Sequence, residues 1–316
     1  MTGVTVIALV PVYFGLALGY FAGRRGIVDS KGLAGINIFL VSYAMPAALF
    51  LAAVQMPRQA LVFHGKLFLV LALTSLSVFC FGLIVEVKRY KFTPADSSAI
   101  LLTVSSPNFV AVGFPLFIAL YGPLGTVPVG VGILCGNLLI VPLALLLLET
   151  EDASQSHASI LRRYAAGLWR SVRNPIVVGP ALGLCLSLGG YTLSPVWVRS
   201  FGYFGESVAG VSLFITGLVL ARESLSVDYN VLGALIMKLI LQPLLAFVIA
   251  SLLLHYPSQI VRDAVLLMAC PCGFFGILFA LTYNARTREA ESVLLLSTAA
   301  SVLTLSAIIP LLSLIR

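Results

Sequence analysis

The sequence predicts an all-α polytopic membrane protein: ten transmembrane helices in two inverted five-helix repeats, with the fourth and ninth helices broken at mid-span. Three observations lead there. Hydrophobic residues make up 60% of the chain and charged residues 10%, with a mean hydropathy of +1.07, whereas soluble domains carry about 25% charged residues. The apolar residues collect into runs long enough to cross hydrocarbon, which takes roughly 20 residues of helix. Two of the runs carry a proline-centred interruption in corresponding places, Ser105-Ser106-Pro107-Asn108-Phe109 and Ala269-Cys270-Pro271-Cys272-Gly273.

Taken in order, the spans are 4–23, 33–54, 66–87, 97–121, 126–149, 174–190, 201–221, 230–254, 261–283 and 290–314. The first lacks a basic flank and is long enough to span, so it reads as a membrane helix rather than a cleavable leader. In the second, Asn37, Ser42 and Tyr43 precede Met45-Pro46, which predicts a kink with a polar face beside it. The fourth breaks at Pro107 and restarts past Gly113 and Pro115. The fifth carries Asn137 in an apolar run, and the sixth is short and glycine-rich. Lys238 lies well inside the eighth, Pro271 breaks the ninth, and Thr298 and Ser301 interrupt the tenth. Connections are short except 150–173, which holds Glu151, Asp152, His157, Arg162, Arg163, Arg170 and Arg173. Its Arg-rich half is suited to lie on a membrane surface. The predicted division is a first repeat at 1–149, a cytoplasmic linker at 150–173 and a second repeat at 174–316.

Basic residues set the orientation, because short inner loops hold the excess of Lys and Arg. With the N-terminus outside, the inner loops carry Arg24, Arg25, Lys31, Lys88, Arg89, Lys91, Arg162, Arg163, Arg170, Arg173, Arg222, Arg286 and Arg288. The outer side then holds only Arg58, Lys66, Arg199, Arg262 and Arg316. The expectation is a multi-pass protein of the cell's inner (plasma) membrane with both termini outside. The net charge of +7 reflects that topology and not a nucleic-acid partner, since no basic cluster forms a face of its own.

Sliding the second half back by 164 residues sets Pro271 on Pro107 and Cys272 on Asn108. Five spans per half is an odd number, so the second half enters the bilayer from the opposite face, as in many secondary carriers. A proline in a span removes an N–H and unwinds the turn before it. The freed groups cannot face lipid and are tolerated only against protein or a polar cavity. Paired breaks therefore point to a binding site.

The chemistry follows from those breaks. Asn108 offers two amide donors and an acceptor without burying a charge. A helix restarting near Phe109 turns the positive end of its dipole toward the same spot, which favours an anion. Cys272 and Gly273 would present main-chain N–H groups from the second break, Gly273 permitting close approach. The competing structural role for Asn108 is to cap freed carbonyls of a kinked helix. Asn137, Thr298 and Ser301 either line a cavity or bond across helices. Ser42 and Tyr43 are further candidate lining residues. Lys238 could neutralise a carboxylate, carry a coupling proton or hold carbonyls of a broken helix. Glu86, Asp96, Glu206 and Asp263 fall toward span ends, where water would hydrate them. No metal or cofactor is expected: Cys270 and Cys272 lack a histidine close by in sequence. Protease, hydrolase and phosphate-loop motifs are absent, so neither catalysis nor ATP as the energy source is expected.

Ser106-Pro107-Asn108 followed by Val112-Gly113-Phe114-Pro115-Leu116 resembles the first crossover of the auxin efflux carrier family, which includes plant auxin carriers and bacterial malonate-type carriers. Asn174-Pro175-Ile176-Val177, Phe214 with Gly217, Leu220 and Ala221, and Lys238 with Gln242-Pro243-Leu244 are similar to the same family. So are Phe279-Ala280 with Tyr283, and Ser297-Thr298 with Ser301. The resemblance implies a scaffold of spans 1, 2, 6 and 7, a mobile transport domain of spans 3–5 and 8–10, elevator-type movement and a homodimer. It makes Asn108 the substrate-binding crossover asparagine, while Cys272 departs from a second amide. The expected function is secondary transport of a small organic anion, a dicarboxylate such as malonate ahead of an auxin-like aromatic monocarboxylate. A membrane metabolite sensor is the rival from another class. A channel fits poorly, since no ring of charges lines a span.

Overall fold

The computed structural model describes residues 2–56, 58–121, 125–152, 173, 175–222, 227–283, 285–312 and 314. Among them helix is the only extended regular structure, with one isolated β-bridge. In chain order the helices are α1 (Thr2–Arg24), α2 (Ser30–Val54), α3 (58–90), α4 (Pro94–Ser105), α5 (109–121), α6 (126–152), α7 (Pro175–Gly189), α8 (Pro195–Arg222), α9 (Tyr229–Leu253), α10 (Ser258–Ala269), α11 (Phe275–Thr282) and α12 (Arg288–Leu312). Six stretches, within α2, α3, α6, α8, α9 and α12, are long and apolar enough to cross a membrane by length and composition. The fourth and ninth apolar runs fall short because each is cut in two: α4 and α10 have 12 residues each and α11 has 8. Of the expected linker, 153–172 lies outside the described residues.

Local chemistry starts and bends these helices. Asp29, Thr93 and Asp228 cap α2, α4 and α9, their side-chain oxygens accepting from the N–H groups of Gly32 (2.7 Å), Asp96 (3.1 Å) and Val231 (2.9 Å). Each such cap satisfies a first-turn donor that the helix itself cannot. Turns of π-helix occupy Leu40–Ala44, Phe109–Gly113, Gly136–Ile140 and Met237–Leu241. Each ends two residues before a proline: Pro46, Pro115, Pro142 and Pro243. A proline ring clashes with the carbonyl four residues back, and a widened turn makes room for it.

The helices gather into two compact units. Unit 1 comprises 1–65, 109–134 and 173–223; unit 2 comprises 66–108, 135–172 and 224–316. Within unit 1, α1 lies along α8 and α7 along α2. Small residues make these approaches possible: a Cβ on Gly19 would strike the carbonyl of Phe214, and one on Gly217 the carbonyl of Leu16. Helices in lipid gain little from hydrophobicity alone and associate by such close packing.

Unit 2 is built on two half-helices enclosed by their neighbours. α4 is buried from Ser97 to Ser105 and α10 from Asp263 to Ala269. The start of α4 is tied to the α11–α12 loop, where the Arg286 N–H donates to Asp96 Oδ1 at 2.9 Å. The Arg286 guanidinium pairs with Glu289 and lies 4.9 Å from the Phe92 ring centroid. Two carboxylates expected to be hydrated at span ends are instead buried, Glu86 at 5% and Asp263 at 2% exposure. Each has gained an amide donor, from Asn230 (3.0 Å) and Gln259 (2.9 Å) respectively, which replaces some of the lost hydration.

Candidate functional site

Both helix breaks expected from the prolines are present, and the two broken strands of chain meet in unit 2. α4 stops at Ser105, after which Ser106 is extended with φ −110° and ψ 94°. α10 stops at Ala269, and Cys270 turns away with φ −57° and ψ 146°. The unwound segments run antiparallel, bridged at Pro107 and Cys272. The Asn108 N–H donates to Pro271 O at 2.8 Å, and the Gly273 N–H donates to Ser106 O at 2.9 Å and Thr103 O at 3.2 Å. Gly273 is needed there, since a Cβ would strike Ser106 O. Gly276 in the first turn of α11 likewise sits against Ala99 O and Thr103 Oγ1.

The carbonyls released at the breaks are held by α9. Lys238 is fully buried; its Nζ donates to Gln242 Oε1 at 2.7 Å and to Met268 O at 3.3 Å. Gln242 Nε2 donates in turn to Ser105 O at 3.2 Å. One lysine–glutamine pair thus reaches the last turns of both α4 and α10. These are the carbonyl-rich, electronegative helix ends that favour a cation. Of the roles open to Lys238 from sequence, holding carbonyls is the one these bonds describe.

The second break corrects one expectation. The N–H groups of Cys272 and Gly273 were expected to face a bound guest. The structure has them engaged within the protein, Cys272 N–H donating to Ser297 Oγ at 3.2 Å and Gly273 N–H to the first break. Two extended segments side by side satisfy each other's main chain more cheaply than they can leave it bare. Two asparagines lie close to the bridged segments. Asn108 is 6% exposed. Asn137, 3% exposed, has an Nδ2 without a partner, as has the Thr103 hydroxyl. Asn137 lies in the π-helical turn of α6, next to Gly136, whose Cβ position is 3.2 Å from Ser106 Oγ. In the first turn of α11 the Ile277 N–H donates to Phe274 O at 3.1 Å.

Other expected site residues fall differently. Thr298 and Ser301 are buried on α12 but bond back to their own helix, at Leu294 O and Thr298 O (both 2.7 Å). Their neighbour Ser297, donating to Leu294 O at 3.1 Å, is the residue that reaches the break. Phe109 and Gly113 belong to unit 1, in the π-helical turn opening α5; there the Phe109 ring lies 3.1 Å from the Cβ position of Gly132. Ser42 and Tyr43 also belong to unit 1 and are exposed on α2. Gln242 and Ser297 carried no site expectation. Gln242 had a signal: a second polar residue four positions after Lys238 in an apolar span shares its helix face. Among the described residues no group of His, Cys, Asp and Glu is placed to hold a metal ion.

Known proteins resemble this sequence over most of its length. An Escherichia coli K12 protein named "Uncharacterized transporter YfdV" is 28% identical over 298 residues, covering 94% of each chain. A Rhizobium meliloti protein named "Putative malonate transporter" is 24% identical over 309 residues, covering 96% of this chain and 95% of its own. The mouse "Lysosomal cholesterol signaling protein" is 27% identical over 312 residues, which is 90% of this chain but 35% of that one. A family model described as membrane transport protein matches residues 4–309, which bears out the resemblance carried by the crossover motifs: the chain belongs to this membrane transport protein family, the auxin efflux carrier family.

Proposed function

We propose that this membrane transporter is a secondary carrier of small organic anions, with a dicarboxylate such as malonate as its substrate. The observation that carries the reading is the bridged pair of breaks, with Asn108 beside it and the Asn137 Nδ2 lacking a partner. Amide donors can grip a carboxylate without an opposing buried charge. The N-terminus of α11 adds the positive end of a helix dipole. The similarity to a protein named as a malonate transporter sets dicarboxylates ahead of aromatic monocarboxylates.

The carrier has ten spans in two inverted repeats, both termini outside, and works by elevator-type alternating access as a homodimer. α1, α2, α7 and α8 form the scaffold; spans 3–5 and 8–10 form the transport domain. Support comes from the clustering of the first four in unit 1 and of α3, α4 and α9–α12 in unit 2, although 109–134 clusters with unit 1. Labelled malonate is expected to exchange across vesicles holding the purified protein, and Asn108→Ala is expected to abolish the exchange in protein that still folds. Exchange that survives Asn108→Ala would remove the assigned site. The signalling reading draws on the name of the mouse relative. It predicts malonate binding with no counterflow in the same vesicles.

A further inference from the structure

The unit 2 cluster at the start of α4 and α9 contains a carboxylate–amide pair that none of the preceding roles uses. Glu86 lies in the π-helical turn ending α3 and Asn230 in the first turn of α9. Both are 5% exposed, and Asn230 Nδ2 donates to Glu86 Oε2 at 3.0 Å. Asn230 Oδ1 is buried and receives no hydrogen bond. An amide offers donors on one atom and an acceptor on the other, whereas an ionised carboxylate only accepts. Ionised Glu86 can therefore match one half of Asn230 and leaves the other half unmade. A buried acceptor without a donor costs about 1–3 kcal/mol. A carboxylic acid supplies the missing donor: its O–H faces the amide oxygen while its carbonyl keeps the amide N–H.

The charges acting on Glu86 from α12 and from the cap of α9 are Glu289 and Asp228, both acidic. α4 brings Asp96, which already accepts from the Arg286 N–H, and the Arg286 guanidinium is held by Glu289. Lys88 and Arg89 share the turn with Glu86, but among the described residues neither they nor any other cation forms an ion pair with it.

We propose that Glu86 and Asn230 form a proton-binding pair: Glu86 takes up a proton in the conformation described here, with Asn230 Oδ1 as the acceptor of the new O–H. On the carrier reading, this gives transport a proton to move with the substrate. Protonation itself can be tested without any substrate.

Infrared difference titration of the purified protein in nanodiscs should show the C=O band of a protonated, buried carboxyl. The band is expected to vanish in Glu86→Gln and to persist in Asp263→Asn, which removes a second buried acid. Asn230→Ala, which leaves the carboxyl in place, should shift the band. A band unaffected by Glu86→Gln and Asn230→Ala overturns the pair. In malonate-exchanging vesicles, Glu86→Gln should retain counterflow and lose at least ten-fold of the accumulation driven by a pH gradient. Undiminished pH-driven accumulation in that variant overturns the coupling. Absence of all malonate flux in the unaltered protein counts against the substrate assignment and leaves the infrared result to decide the proton site.

Discussion

Lys238 is held by oxygens and not by a carboxylate: a glutamine amide and a main-chain carbonyl at the end of α10 are its partners. Removing it should therefore act on stability through what it leaves behind. Lys238→Met keeps much of the volume but strands Gln242 Oε1 and Met268 O, each worth about 1–3 kcal/mol when left buried and unpaired. Ser297→Ala strands the Cys272 N–H in the same way and should cost about 1 kcal/mol. Thr216→Val is the contrast: its hydroxyl donates to Ser212 O in its own helix, a carbonyl already within reach of the ladder, and the change should cost less than about 1 kcal/mol. Thermal unfolding in detergent ranks the three, and a Thr216→Val loss as large as that of Lys238→Met would refute the assignment. At this scale the prolines and Asn108 were legible because a missing N–H is a property of one residue. Ser297 was not, because its role is to meet a main-chain group on another helix, and Gln242 was marked only by its spacing from Lys238. The Cys272 and Gly273 amides were misread for the same reason: sequence shows which groups a break frees but not which segment comes to satisfy them.

Proline position also set the shape of whole elements. Pro46, Pro115, Pro142 and Pro243 each follow a widened turn by two residues, yet the π-helical turns at Glu86–Tyr90 and Val248–Leu253 have no proline behind them, and Pro180 and Pro310 sit in helices without such a turn at that spacing. The break-forming pairs were legible because proline and a following small or polar residue coincide at mid-run. The register of helix against helix was not, since periodicity is weak where every face is apolar. Glycine carries that register. Gly19 faces the carbonyl of Phe214, which belongs to a rigid backbone and cannot step aside. Gly19→Ala should cost roughly 1–3 kcal/mol through overpacking. Gly210, on the α8 that receives Gly19, has nothing within 4 Å of its Cβ position. Gly210→Ala should instead gain about 0.5–1 kcal/mol by restricting the unfolded chain. Opposite signs in the unfolding temperatures of these two variants are the expected result; equal losses would show that α1 does not dock on α8 through this face.

For the whole molecule, the sequence was most informative about depth in the membrane and least about partition between units. Apolar run length follows directly from bilayer thickness. The boundary between units, by contrast, falls at Asn108–Phe109 and Leu134–Cys135, inside two runs whose composition does not change there. Orientation depends on charge alone, and it can be tested apart from any transport assay. The three side-chain caps at Asp29, Thr93 and Asp228 all begin helices that the charge bias starts from the inner face, beside Arg24, Lys91 and Arg222. In a cysteine-free background, which requires replacing the exposed Cys80 and Cys185 as well as the three buried thiols, a single cysteine at Thr192 should react with an impermeant maleimide added to intact cells. A cysteine at Ile27, 70% exposed and next to Arg24 and Arg25, should react only after the cells are opened. Labelling of Ile27→Cys in sealed cells would invert the topology and place the Glu86–Asn230 pair at the outer face, where a proton would enter from the opposite side.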